Sequence, residues 1–127
     1  MPYEVKWLVP QQVIEMKFGE NFTIEELQEY DAKVVAMLDT GQPRSIHILA
    51  HASDIKQMPN LVHAQQLNHI RHPNLGWAVP IGNQNIILKA IGLLVAKLFG
   101  NRLQWCASRE EALTFLQQVD KTLPDLK

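Results

Sequence analysis

The chain has 127 residues, 46% hydrophobic and 20% charged, which suits one globular domain and excludes a largely disordered segment. Its 12 Lys plus Arg against 13 Asp plus Glu give a net charge of −1, and the basic residues are scattered, so the sequence argues against a nucleic-acid partner. One cysteine, Cys106, allows no internal disulfide.

Tyr3, Val5, Trp7 and Val9 alternate with Glu4, Lys6 and Leu8, the period of a half-buried strand. No basic start followed by an apolar stretch opens the chain at Met1-Pro2-Tyr3-Glu4, so a cytoplasmic location is expected. Pro10-Gln11-Gln12 breaks the first strand, and Val13 to Phe18 alternates again. Ile14, Met16 and Phe18 share one face of it, Glu15 and Lys17 the other, and the two runs read as a hairpin. Thr23 and Glu26 have the spacing of a capping box and open a helix. Ile24, Leu27, Val34 and Leu38 form its stripe, which Asp31 interrupts, and Gly41 is a natural stop. Glu29 and Lys33 are placed for an i,i+4 pair on its outer face.

Ser45 to Ala52 is mostly apolar and reads as a central strand. Ser53 to Pro59 is a loop, and Asn60 to His72 a helix with an untidy stripe that Pro73 ends. Leu75 to Ile81 is a further strand, interrupted by Pro80. Ile86 to Phe99 is a strongly apolar helix closed by Gly100, and Leu103 to Ala107 a fifth strand. Ser108 and Glu111 repeat the capping-box spacing. Ala112, Leu113, Leu116, Val119 and Leu123 stripe the last helix. The expected order is β-β-α-β-α-β-α-β-α. This is an α/β fold with an N-terminal hairpin, a mixed, mostly parallel sheet and four helices, filling residues 1–127 as a single domain.

That order at this length resembles the STAS fold of bacterial anti-sigma-factor antagonists, and more closely the small bacterial STAS-like proteins grouped with CRAL-TRIO lipid-transfer domains. The likeness rests on Gly41-Gln42-Pro43, the Ser53-to-Pro59 loop, Arg71-His72-Pro73-Asn74-Leu75-Gly76-Trp77, Leu98-Phe99-Gly100 with Arg102-Leu103, and Ser108-Arg109-Glu110-Glu111-Ala112-Leu113. It implies a regulatory, non-catalytic protein-interaction module. STAS antagonists carry a phosphorylatable Ser or Thr at the start of the helix after the central strand. Here that place reads Gln57-Met58-Pro59-Asn60, without a hydroxyl, so the switch serine is expected to be missing. Ser53 and Asp54, in the loop after a parallel strand where open α/β sheets place ligands, form a possible regulatory loop.

The histidines offer no evident metal site. His47 and His51 share a strand face but stand roughly 13 Å apart at about 3.3 Å per residue. His63 and His69 lie about 120° apart round a helix. His69 and His72 share a side, with no Cys or carboxylate at ligand spacing. No serine sits in a Gly-x-Ser-x-Gly elbow, and Asn83-Gln84-Asn85 reads as a plain helix cap. The expectation is a protein that is not an enzyme and takes no cofactor. On the helix Ile86 to Phe99, the residues Ile87, Leu88, Ile91, Leu94, Leu98 and Phe99 make a broader apolar surface than one sheet contact needs, while the run is too short to span a bilayer. That surplus fits a protein partner, a second copy in a homodimer, or an apolar small molecule or lipid. The last alternative, a carrier, gains from Trp7, Trp77 and Trp105 and from the CRAL-TRIO likeness.

Overall fold

A computed structural model describes residues 3–18, 24–51, 72–82 and 102–124. The elements are β1 (Tyr3–Val9), β2 (Val13–Phe18), α1 (Ile24–Leu38), β3 (Ile46–His51), β4 (Leu75–Ile81) and α2 (Arg109–Val119). The four-stranded sheet has the order β1-β2-β3-β4. β1 and β2 are antiparallel; β2, β3 and β4 are parallel. The described helices are therefore two where four were expected, because the segments read as helices over 60–72 and 86–99 fall almost wholly outside the described residues.

The hairpin turns on Pro10 and Gln11, with the Gln12 N–H bonded to the Val9 carbonyl at 2.9 Å. Gln11 has φ 63°, which matches a type II turn with proline at its second position. The register shifts between Trp7 and Val9. This bulge corrects the expected alternation. Val5 and Trp7 pack on one side of the sheet, whereas Val9 joins Leu8 on the other.

Each face of the sheet is closed by one described helix. On the first, Ile14, Met16, Ile46, Ile48 and Leu75 meet Tyr30, Val34 and Leu38 of α1. On the second, Val13, Leu49, Val79 and Ile81 meet Ala112, Leu113 and Leu116 of α2, with Cys106 among them. Ile14, Leu38, Ile46, Leu49, Leu75 and Leu116 are fully buried, each contributing about 1.5–3 kcal/mol of transfer free energy. The Glu29–Lys33 pair forms on the exposed side of α1 at 3.7 Å. α1 stops where Asn74 reaches across from the approach to β4: its side-chain amide donates to the Leu38 carbonyl at 2.8 Å and the Gly41 carbonyl at 3.2 Å. Two segments that carried the family resemblance are thus joined by one helix-end contact.

The expected fifth strand is reduced to two isolated parallel bridges, Ala78 with Leu103 and Ile81 with Cys106. Pro80 is the reason. The Ala78 N–H reaches the Arg102 carbonyl, the Gln104 N–H the Ala78 carbonyl, the Cys106 N–H the Pro80 carbonyl, and the Gly82 N–H the Cys106 carbonyl. The bond that would complete the ladder needs an N–H on Pro80 directed at Gln104, and proline has none. β4 itself runs unbroken, since Pro80 turns its nitrogen away from β3.

α2 begins as the capping spacing predicted, with the Glu111 N–H bonded to Ser108 Oγ at 3.2 Å. The Glu111 carboxylate reaches one residue further back than a capping box requires, to the Ala107 N–H at 2.9 Å. The helix ends at Val119 rather than running on to Leu123, and Val119 is 39% exposed.

Candidate functional site

The face of β2 that reads as polar in the sequence is not a solvent face. β2 lies between β1 and β3 and is covered by α2, so Glu15 is buried to 5% exposure. A buried carboxylate needs partners. His51 Nε2 donates to Glu15 Oε2 at 2.6 Å, and Arg109 Nε donates to the same oxygen at 3.0 Å. Burial pushes the Glu15 carboxyl up, but the hydrogen bonds and charges of Arg109 and His51 outweigh it and hold the group below the usual carboxylate range. Arg109 is raised in turn by its bond to Glu15. The cluster joins three elements: β2, the last residue of β3 and the first residue of α2.

A second histidine–carboxylate contact fastens the other end of α2. His47 is 3% exposed. Its Nδ1 accepts the Trp77 N–H at 2.9 Å, so Nε2 carries the proton it donates to Asp120 Oδ2 at 2.8 Å. Asp120 is the C-cap of α2, and its other oxygen accepts from the Thr122 N–H at 3.0 Å and hydroxyl at 2.6 Å. Burial raises the Asp120 carboxyl, yet Thr122 and His47 together bring it below its ordinary value. The β3–β4 register shifts between Ile46 and Ile48, so Gly76 and Trp77 together face His47. A Cβ on Gly76 would sit 2.5 Å from His47 Nδ1. Gly76 is therefore glycine because an imidazole occupies its side-chain position. His72 repeats the arrangement, accepting from the Asn74 N–H at 3.1 Å and donating to Asp39 at 2.7 Å.

These contacts tie elements of the fold to one another. Among the described residues, no hydroxyl or thiol bonds to His51, whose Nε2 is taken by Glu15. No group of three His, Cys, Asp or Glu side chains there could hold a metal ion. Cys106 is 4% exposed, and burial, with the nearby Glu111 carboxylate, raises its thiol pKa. Among the described residues no helix is long and apolar enough to cross a membrane.

Of the residues singled out in the sequence, Ser53 and Asp54 lie outside the described residues, as do Ile87, Leu88, Ile91, Leu94, Leu98 and Phe99. The Glu15–His51–Arg109 cluster escaped sequence reasoning. Its one available signal was a glutamate on a strand that other strands must flank on both sides.

The architecture corresponds to two solved structures. The Bacillus cell fate determinant SpoIIAA in its phosphorylated form matches with a TM-score of 0.59 and 11% identity, over 90% of this chain and 98% of that one. The anti-sigma factor antagonist SpoIIAA in its unphosphorylated form matches with a TM-score of 0.59 and 11% identity, over 97% and 99%. The chain has a STAS-like fold. No family model matches it, and no curated protein does. At 11% identity the correspondence concerns the fold alone. In this STAS-like frame, the Glu15 cluster stands at the carboxyl end of β3, directly before the residues Ser53 and Asp54 in sequence.

Proposed function

We propose that this chain is a single, non-catalytic STAS-like module that acts in the cytoplasm by binding a regulatory protein partner. The observation that carries the reading is correspondence of nearly the whole chain with nearly the whole of an anti-sigma factor antagonist. The carboxyl end of β3 is the natural recognition edge, since open α/β sheets present ligands there. Glu15 and Arg109 hold that strand end through His51, giving the residues that follow a fixed point of departure. With no hydroxyl among Gln57-Met58-Pro59-Asn60, the module works without the phospho-switch of STAS antagonists, and Ser53 and Asp54 contact the partner directly.

Native mass spectrometry of gently purified protein, repeated under denaturing conditions, tests this. A complex of fixed stoichiometry with one identified protein, weakened at least about tenfold by the paired substitutions Ser53→Ala and Asp54→Ala, is the expected result. An apolar passenger released on denaturation would replace the proposal with the carrier reading, with Ile87, Leu88, Ile91, Leu94, Leu98 and Phe99 as pocket wall. A homodimer without other protein would place the interface on those six residues instead.

A further inference from the structure

Beyond α2 the sheet stops short. The amides of Gln104 and Cys106 donate to β4, so by strand alternation the backbone groups of Leu103 and Trp105 face away from it. Among the described residues no strand lies on that outer side. α2 overhangs the edge, and between the two runs an open groove of about 430 Å³. Gln104 and Cys106 line it from the strand side; Glu110, Glu111, Thr114, Phe115 and Gln118 line it from one face of the helix.

Among the described residues the lining of this groove carries charge of one sign only. Glu110 and Glu111 are exposed at its helix side. Among the described residues, no Lys, Arg or His nitrogen lies within 4.0 Å of either carboxylate. Arg109, their neighbour in sequence, is turned to Glu15. Glu111 is held in place by its bond to the Ala107 N–H. Phe115 supplies an aromatic wall, itself steadied by Trp77 in an edge-to-face contact at 5.1 Å and 83°. Cys106 is a protonated, buried neighbour and not a reactive one.

We propose that this groove docks an extended, basic peptide segment, added as a strand to the edge at Leu103 to Cys106 that no described strand covers, with Lys or Arg at alternate positions. Main-chain pairing with Leu103 and Trp105 would supply the register, as in strand addition generally. Every second side chain of an added strand points to the α2 face. An aliphatic lysine or arginine stem would lie along Phe115, with its charged head at Glu110 and Glu111. An acidic segment would be repelled by the same pair. This surface does not depend on the partner reading given above, which concerns the carboxyl end of β3.

The test is a titration of the isotopically labelled full chain with a synthetic peptide alternating threonine and lysine, followed by amide chemical shifts. A second titration uses the threonine–glutamate counterpart. The expected result is saturable shifts confined to residues 103–106 and 110–118, weakened about fivefold to tenfold in the E110Q/E111Q variant and further by salt. Glutamine retains an acceptor for the Ala107 N–H, so the spectrum away from the groove stays unchanged and reports an intact fold. Equal shifts from the acidic peptide, shifts centred elsewhere, or none at about millimolar peptide would overturn the proposal. So would concentration-dependent shifts of residues 103–106 in the free chain, which would assign the edge to a second copy. These outcomes are separable from failure of the β3 reading, because the groove is read from the amides of residues 103–118 and that reading from Ser53 and Asp54.

Discussion

Replacing Gly76 by alanine tests how α2 is fastened. The added methyl would stand 2.5 Å from His47 Nδ1, 2.7 Å from its Cε1 and 2.9 Å from the Arg44 carbonyl oxygen. Backbone blocks one direction and the imidazole the other, so the ring must swing away. It is held at both nitrogens, by the Trp77 N–H and by Asp120, and loses both bonds when it moves. Leaving the Trp77 amide unsatisfied costs about 1–3 kcal/mol, and losing a bond to a charged group about 1.5–3 kcal/mol. The sum, roughly 2.5–6 kcal/mol, is a large share of a typical total of about 5–15 kcal/mol. Urea unfolding followed by circular dichroism measures it, with His47→Ala and the double variant completing a cycle. Both single changes remove the same bonds, so the double variant should cost less than their sum by about the whole worth of those bonds, roughly 2.5–6 kcal/mol. A loss below about 1 kcal/mol for Gly76→Ala, or strict additivity with His47→Ala, would refute the reasoning.

Two further outcomes follow from the buried groups. The folded-state pKa values of Glu15 and Asp120 are both depressed. Their stabilisation is therefore complete above the unfolded carboxylate pKa, near about 4, and is lost as pH falls through the folded values. Glu15→Gln should cost about 3 kcal/mol at neutral pH, the low end for breaking a buried pair because Arg109 is half-exposed. It should also flatten the acid limb of a stability–pH curve, and an unchanged limb would count against the cluster. Cys106, buried and raised in pKa, should react with a thiol reagent at pH 7 only as fast as the chain opens. Reaction at the denatured rate in native buffer would contradict its placement.

The period-two runs of β1 and β2, the apolar β3 and β4 and the capped α2 were legible because each is a local pattern. The STAS-like fold was legible from their order. What escaped was non-local. The bulge that moves Val9 to the second face depends on register with Val13, which no single strand reveals. Glu15 alternates like a solvent-facing residue, and only its position beneath α2 makes it buried. Pro80 was visible as an interruption, but its effect falls on the neighbouring segment and not on β4. Val119 ends α2 because Asp120 is claimed by His47, a residue far away in sequence.

The missing N–H of Pro80 also divides the molecule's cooperativity. Strands β1 to β4 share ladders of five or six paired residues, two of them with one register shift, while the segment from Arg102 to Cys106 is stitched on by two separated bridges. That segment should open and reclose more readily than the sheet it borders. Amide protons of Gln104 and Cys106 should then exchange with solvent by this partial opening, ahead of those of Leu49 and Val79, whose release waits for global unfolding.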